Sequence, residues 1–198
     1  SGDSGIVSIG RAEMMDGTKE TFPRGNVVKS NFIHDVGIFG KQTSCYFQAL
    51  TAEVELVDNV CFNSPRSGIN FNDGFYGGHV MEGNLVFNAV RETGDHGPFN
   101  SWDRQPYVTD NGVIDGFSDE ERGVEGGSII AKQSVISKNF MMSGYRSTWT
   151  IDHDDGSQMY NDTDNVLVYG GCKNFLGHSK SCSHNMILFP GLEERSEG

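Results

Sequence analysis

Basic side chains are scarce in this sequence of 198 residues, in which 15 Lys and Arg face 27 Asp and Glu and the formal net charge is −12. A surface of this sign repels the phosphates of nucleic acids and anionic lipids, so neither is expected as a partner. No apolar run approaches the ~18–20 residues of a membrane-spanning helix, and no basic and apolar leader opens the chain. Because the first residues, Ser-Gly-Asp-Ser, lack a methionine, we expect a processed chain or a fragment of a longer protein.

Cysteine is limited to four residues, none of which forms a Cys-x-x-Cys pair. Zinc ribbons and thioredoxin-like redox sites are therefore disfavoured, while two disulfides and buried thiols stay equally open. One triplet, Asn161-Asp-Thr163, makes Asn161 a candidate glycosylation site and favours an extracellular, secreted glycoprotein. Proline is also rare at 5 residues, whereas glycine reaches 26 without a collagen period, which indicates many turns.

Helical periodicity is missing as well. A short motif, Asn followed by three mostly apolar residues, recurs instead. Successive copies are 28, 25, 55, 26 and 20 residues apart. Repeats of this length with one short strand each are typical of a solenoid. In stacked coils each Asn amide can bond to the Asn above and below it, and Asn accepts the left-handed bend that starts a strand. The copies are Asn31-Phe-Ile-His, Asn59-Val-Cys-Phe, Asn84-Leu-Val-Phe, Asn139-Phe-Met-Met, Asn165-Val-Leu-Val and Asn185-Met-Ile-Leu.

This repeat predicts an all-β protein, a right-handed parallel β-helix solenoid that forms a single domain over residues 1–198. A repeat of about 25 residues gives roughly seven or eight coils, with the six asparagines stacked at one corner. Leucine-rich repeats are excluded because their leucine pattern is absent, and a β-sandwich with coincidental asparagines is the alternative.

A second alignment joins residues 69–73, 99–103 and 151–155, which share an apolar first residue, an Asn or Asp second and an Asp fifth. Strand alternation sends the first and third residues of each segment inward, so that His153 becomes a bonded core histidine. The outward positions then form a polar groove with one tryptophan. They are Asn70 and Asn72, Asn100 and Trp102, and Asp152 and Asp154.

The chain from Phe99 to Asn139 is 25 residues longer than the equivalent stretch from Ile69 to Asn84. Residues 104–127 are polar and rich in glycine, and we interpret them as a long loop inserted in one coil, where it would roof the groove. An additional, poorly patterned coil is the alternative.

Titratable side chains concentrate in residues 91–107 and 152–157. Carboxylates on adjacent coils would lie about one strand spacing apart, ~4.8 Å, so that one takes up a proton more easily than the other. Such a division between acid and base is what glycoside hydrolysis needs. The candidate catalytic residues are Asp95, Asp154 and Asp155. The candidate substrate-binding residues are Arg91, Glu92, His96, Asn100, Trp102, Asp103, Arg104 and Asp152.

No cofactor or resident metal is expected, because the histidines are scattered and residues 152–163 depart from the EF-hand pattern. A calcium ion bound by Asp152, Asp154 and groove asparagines is the alternative.

Three segments resemble secreted, pectin-lyase-like right-handed β-helix proteins that act on carbohydrates: Asp95-His-Gly-Pro-Phe, Asp154-Asp155-Gly-Ser157, and Gly171-Cys-Lys173…Gly177…His184-Asn185. The nearest group is the β-helix glycosidases with α-L-fucosidase or xylanase activity, and the likeness in coil pattern covers about residues 26–190. In that family two Asp on successive coils are catalytic, which implies Asp95 with Asp154 or Asp155 here. The sequence departs from the family at His96 and Pro98.

The sequence is compatible with three functions. The first is a glycoside hydrolase that uses paired Asp carboxylates on a polysaccharide. The second is a polysaccharide lyase or epimerase, for which Arg91, Arg104 and His96 would supply the cationic or neutral groups. The third is a non-catalytic structural or adhesive β-helix, whose open coil ends would be covered by flanking domains or a partner.

Overall fold

A computed structural model describes residues 1–10, 22–72, 77–103, 132–144, 147, 149–177 and 179–190. These residues form eighteen short strands in three parallel sheets of six, and the described part contains no helix. A helix that could span a membrane is accordingly not found among them.

The three sheets each take every third strand of the chain. The first sheet contains β1 (Ile6–Ile9), β4 (Tyr46–Ala49), β7 (Ile69–Asn72), β10 (Phe99–Ser101), β13 (Ile151–His153) and β16 (Cys172–Asn174). The second contains β2 (Val27–Lys29), β5 (Glu55–Val57), β8 (Val80–Glu82), β11 (Ser134–Ser137), β14 (Tyr160–Thr163) and β17 (Ser181–Ser183). The third contains β3 (Phe32–His34), β6 (Val60–Phe62), β9 (Leu85–Phe87), β12 (Phe140–Met142), β15 (Val166–Val168) and β18 (Met186–Leu188).

Three strands therefore make one coil, and each coil pairs in parallel with the next, which confirms the expected parallel β-helix. The described strands make six coils, fewer than the seven or eight expected from dividing the chain by its repeat length. The division failed because β10 and β11, two strands of one coil, are separated by a much longer stretch of sequence than the repeat length assumes. Since β10 pairs directly with both β7 and β13, no additional coil separates them, and that alternative was wrong.

The asparagine stack is present at the corner between the second and third sheets. From Asn59 onward, each side-chain oxygen accepts the backbone N–H and one Nδ2–H of the preceding Asn, at 2.8–3.0 Å. The other Nδ2 proton reaches a backbone carbonyl, as from Asn84 to Leu56 at 2.8 Å. The stack thus satisfies polar groups that the corner would otherwise bury without partners. Its members are Asn31, Asn59, Asn84, Asn139, Asn165 and Asn185.

The left-handed bend at this corner belongs to the residue before each asparagine, not to the asparagine itself as expected. Five of these six residues are not glycine, and their φ values lie between 54° and 58°. The asparagine is thereby left free to turn its amide along the stack. The six are Ser30, Asp58, Gly83, Lys138, Asp164 and His184.

Apolar side chains from all three sheets fill the interior. The inward positions expected for the first sheet are confirmed, since Ile69, Phe99 and Ile151 align with one another across β7, β10 and β13 and belong to the apolar core. The fixed strand register therefore stacks apolar side chains from equivalent positions of successive coils. In this way a narrow solenoid forms a continuous core although each coil contributes few residues.

A buried polar network lies inside the coils behind β13. Oγ of Ser101 lies 2.7 Å from Nδ1 of His153, and Nε2 of His153 lies 2.9 Å from Oδ2 of Asp162. The expectation that His153 is a bonded core histidine is confirmed. Serine, histidine and aspartate are ordered here as in a hydrolytic triad, but all three are fully buried. The network therefore links neighbouring coils and is closed to a substrate.

A second buried histidine, His79, is held neutral. The N–H of Val54 donates to its Nδ1 at 3.2 Å, so the ring proton is on Nε2, which faces the Gln48 amide at 3.2 Å. Gln48 must then turn its oxygen toward His79 and its NH₂ toward the Tyr46 hydroxyl. Burial lowers the pKa of His79 to about 3.

We expect His79 to weaken the fold in acid. Between about pH 6.5 and 3 the unfolded chain protonates this histidine and the folded chain does not, so stability falls as the pH falls. The loss through this one group is up to about 1.4 kcal/mol per pH unit. Urea unfolding at pH 7, 5.5 and 4.5 measures it. A His79→Gln variant should lose less stability than the parent between pH 7 and 4.5, and equal acid slopes in the two chains would refute the assignment.

The four cysteines, left open by the sequence, form two disulfides. Cys45 pairs with Cys61 across the second coil, and Cys172 pairs with Cys182 across the sixth. Each bond closes a short loop near one end of the stack, where fewer neighbouring strands support the coil.

Candidate functional site

A row of polar side chains crosses the outer face of the first sheet. Strand register places Asn70 beside Asn100, Asn100 beside Asp152, and Asp152 beside Lys173. The row therefore runs along the solenoid axis, one residue per coil, and we call it the groove row. The polar outer face predicted from the alignment of residues 69–73, 99–103 and 151–155 is confirmed in register.

The groove row is more enclosed than the sequence suggested. Asn100 and Asp152 are fully buried, and Asn70 is 6% exposed. Nδ2 of Asn100 donates to Oδ2 of Asp152 at 3.2 Å, but Oδ1 of Asn70 and Oδ1 of Asn100 have no hydrogen-bond partner within the described residues. Buried acceptors without donors are costly and commonly mark a place where water or a ligand completes the bonding.

Asp152 is the carboxyl group of the groove row, and its pKa is shifted. Burial raises its pKa to about 6, against the opposing charge of Lys173 and with smaller contributions from Asp154 and Asp95. Asp152 therefore holds a proton in mildly acidic solution, where an ordinary aspartate has lost it.

Lys173 joins two carboxylates at the end of the groove row. Its Nζ lies 3.2 Å from Oδ1 of Asp152 and 3.0 Å from Oδ1 of Asp154. Although burial opposes the charged form, the two carboxylates raise the pKa of Lys173 above its ordinary value. Carboxylate and amide oxygens would suit calcium, but a calcium ion held by both Asp152 and Asp154 would have to displace this ammonium.

The turn before β10 brings Asp95 and His96 to the edge of the same face. Nη2 of Arg66 contacts Nε2 of His96. Burial, with the charge of Arg66, lowers the pKa of His96 to about 4, so the ring is neutral and accepts from Arg66. Gly97 is required in this turn because a Cβ there would lie 2.1 Å from the carbonyl oxygen of Trp149.

The two candidate carboxylates nearest solvent are Asp95, which is exposed, and Asp154, which is half-buried. The charges of both act on His96 and on Asp152, which places the four groups around one region. Asp95 precedes β10 and Asp154 follows β13, so they come from adjacent coils but lie at opposite ends of two paired strands. Of the two alternatives in the second stretch, Asp154 is the one that contacts Lys173.

The remaining candidates from the polar strands lie beside the groove row. Trp102 follows β10 and is half-buried. Its backbone N–H donates to the carbonyl of Phe71 at 3.0 Å. Asp103 is buried, and its N–H donates to the carbonyl of Asp155 at 2.7 Å. These backbone bonds fasten the ends of β10 and β13 to neighbouring coils.

Arg91 and Glu92 belong to a different place. They line a cavity of about 240 Å³ beside the third sheet, together with Asp35, Lys41 and Pro65. Glu92 pairs there with Lys41 at 2.9 Å. The turn of residues 88–98 bends around the corner of the coil, so residues close to Asp95 in sequence face another side.

Two candidates have other outcomes. Arg104 and the loop of residues 104–127 lie outside the described residues. Asn161 lies on the outer face of β14 and its Oδ1 accepts from Ser181 Oγ at 3.0 Å; glycosylation of Asn161 stays a prediction.

Sequence reasoning missed Arg66 and Lys173 as members of the site. Lys173 could have been found by extending the aligned strands one coil further, since Cys172-Lys173-Asn174 continues the register of residues 151–153. Arg66 lies in a turn outside the repeat, and no pattern in the sequence identified it.

The class that these coils define is the parallel β-helix, with a polar groove across one sheet. Comparison of the chain with protein-family models, with curated proteins and with solved structures found no match. The fold and the groove are therefore the basis for any proposal about function.

Proposed function

We propose that the chain is a carbohydrate-active glycoside hydrolase that binds a polysaccharide along the groove row. The observation that carries the proposal is the polar groove row, which leads to an exposed carboxylate, Asp95, and a half-buried one, Asp154. Paired carboxylates are what cleaves a glycosidic bond.

In this proposal Asp95 and Asp154 are the reacting pair. Asp152 retains a proton up to about pH 6 and contacts Lys173, which also contacts Asp154. A proton is therefore held next to a reacting carboxylate in mildly acidic solution, where one carboxyl must donate and the other must stay ionised. Trp102, half-buried at the end of β10, is the candidate platform for a sugar ring.

We expect Asp95→Asn and Asp154→Asn each to lower kcat/KM by about 10²–10⁴-fold while the circular dichroism spectrum stays that of the parent. The assay is release of reducing ends from a panel of neutral polysaccharides. Asp58→Asn is the matched control, because Asp58 is an exposed carboxylate at another corner, 4.0 Å from Lys29. Full activity in both groove variants would remove the pair from the catalytic role.

A lyase acting on acidic sugars is the second candidate, and one observation favours it. Lys173 and Arg66 place two cations at the groove of an otherwise acidic chain, where they could hold a uronate carboxylate. Elimination forms an unsaturated product that absorbs in the ultraviolet. Absorbance from acidic polysaccharides without hydrolysis of neutral ones would select this candidate, and binding without turnover would select a non-catalytic module.

An extracellular location fits the same proposal. Disulfides persist mainly in oxidising compartments, and the two bonds here use all four cysteines of the chain. Extracellular polysaccharides would be accessible to the protein there.

A further inference from the structure

The outer face of the third sheet is apolar along its whole length. Of its twelve outward side chains only His34 is polar. The outer face of the second sheet contains instead Glu55, Glu82, Asn161 and Thr163 among its outward residues. The third-sheet set, which we call the apolar face, is Phe32, His34, Val60, Phe62, Leu85, Phe87, Phe140, Met142, Val166, Val168, Met186 and Leu188.

The apolar face is regular as well as apolar. The rings of His34, Phe62 and Phe87 stack on successive coils, with centroids 5.1 and 4.9 Å apart and interplanar angles of 10° and 5°. At the opposite end Tyr169 and Phe189 stack at 5.6 Å and extend the surface around the corner. Parallel rings on rigid strands give a flat surface whose shape is fixed before any partner binds.

The area of the apolar face is that of a protein interface. Seven large side chains on it or at its corner are between 37% and 68% exposed. Taking about 200 Å² for a fully exposed side chain of this size, they present roughly 700 Å². That exceeds the roughly 300–600 Å² of the largest patch on an ordinary monomer and approaches the ~800 Å² per partner of a stable complex. The seven are Phe32, Leu85, Phe140, Tyr169, Met186, Leu188 and Phe189.

We propose that a second copy of this chain covers the apolar face, packed sheet against sheet about a two-fold axis between β9 and β12. A two-fold interface uses the same patch on both subunits and must be self-complementary, which a flat, uncharged face satisfies. Two such sheets would pack about 10 Å apart, as in a β-sandwich.

The charges around the apolar face are compatible with this pairing although each chain carries −12. Two acidic residues at its border with the second sheet are paired with lysines, Asp58 with Lys29 at 4.0 Å and Glu82 with Lys138 at 2.7 Å, and the charge of a third, Asp164, acts on Lys138. Like charges then meet across the interface mainly at longer range, where salt screens them. The dimer should therefore tighten as the salt concentration rises.

Sedimentation velocity on the 21.7 kDa chain at increasing concentration tests the proposal. We expect a concentration-dependent dimer. A Leu85→Glu/Phe140→Glu variant should stay monomeric at concentrations at least tenfold above the one at which half of the parent chain is dimeric. Val27→Glu is the matched control, since Val27 is 58% exposed on the second sheet and should leave the dimer intact.

A cross-linking measurement covers the case in which the double variant does not fold. Because every native cysteine is in a disulfide, Phe140→Cys introduces the sole thiol of the chain. A bis-maleimide of about 10 Å, the spacing of packed sheets, should join two Phe140→Cys chains and not two Val27→Cys chains. A parent chain that stays monomeric, a dimer that persists in the Glu variant, or binding of the parent to neutral lipid vesicles in place of dimerisation would overturn the proposal.

Discussion

An Asn84→Leu variant is expected to lose at least about 3 kcal/mol of unfolding free energy. Asn84 is 1% exposed, and its amide bonds to the N–H of Asn59, the carbonyl of Leu56 and Oδ1 of Asn139. Leucine has nearly the same volume but leaves three buried polar groups without that partner, each at a cost of about 1–3 kcal/mol. For a domain whose total stability is about 5–15 kcal/mol, the loss is large. Urea titration followed by circular dichroism measures it.

The matched control is Asn31→Leu at the terminal, half-buried rung of the stack. Water reaches this site, so the same substitution should cost about 1 kcal/mol or less. Asn84→Asp separates shape from bonding, because the carboxylate keeps the volume and loses both N–H donors. Equal losses at positions 84 and 31 would mean that the stack contributes little beyond packing.

An Asp162→Leu variant is expected to lose about 1–3 kcal/mol, because it leaves Nε2 of His153 buried without its hydrogen-bond partner. The two side chains are fully buried, with Nε2 and Oδ2 2.9 Å apart. Thr163→Leu, on the outward side of the same strand, is the control and should change stability by less than about 1 kcal/mol.

A double-mutant cycle identifies the physical origin of the Asp162 effect. Replacing both His153 and Asp162 by leucine removes the unpaired polar group, so the double variant should be more stable than Asp162→Leu alone. If the two losses simply add, the pair contributes through volume and not through its hydrogen bond.

The coil pattern could be predicted from the sequence because the solenoid repeats one local solution. Asn59, Asn84 and Asn139 each precede three residues of strand, and a residue repeated at each corner necessarily stacks on its copies. Alternation along β7, β10 and β13 then assigned Asn70, Asn100 and Asp152 to the outer face without knowledge of the rest of the chain.

The site was less predictable because it depends on turns, which do not repeat. Glu92 is three residues from Asp95, yet the turn carries it to another cavity, where it pairs with Lys41. Arg66 reaches His96 from the preceding coil through a turn of its own sequence. Contacts of this kind depend on the backbone path around the corner, which side-chain periodicity does not encode.

The asparagine stack also gives the solenoid a direction. One Nδ2–H of each of the first five asparagines donates to the amide oxygen of the following asparagine, so these bonds all run in one direction and each polarises the next. At the last rung, Nδ2 of Asn185 donates to the Asp162 carbonyl and lies 3.2 Å from Sγ of Cys182. An amide at the first coil therefore presents oxygen, and one at the last presents hydrogen. If two solenoids stacked with their first coils in contact, the amide oxygens of the two stacks would face each other. If the first coil of one stacked on the last coil of the other, the hydrogen bonds would continue in the same direction. End-to-end stacking therefore favours the head-to-tail arrangement.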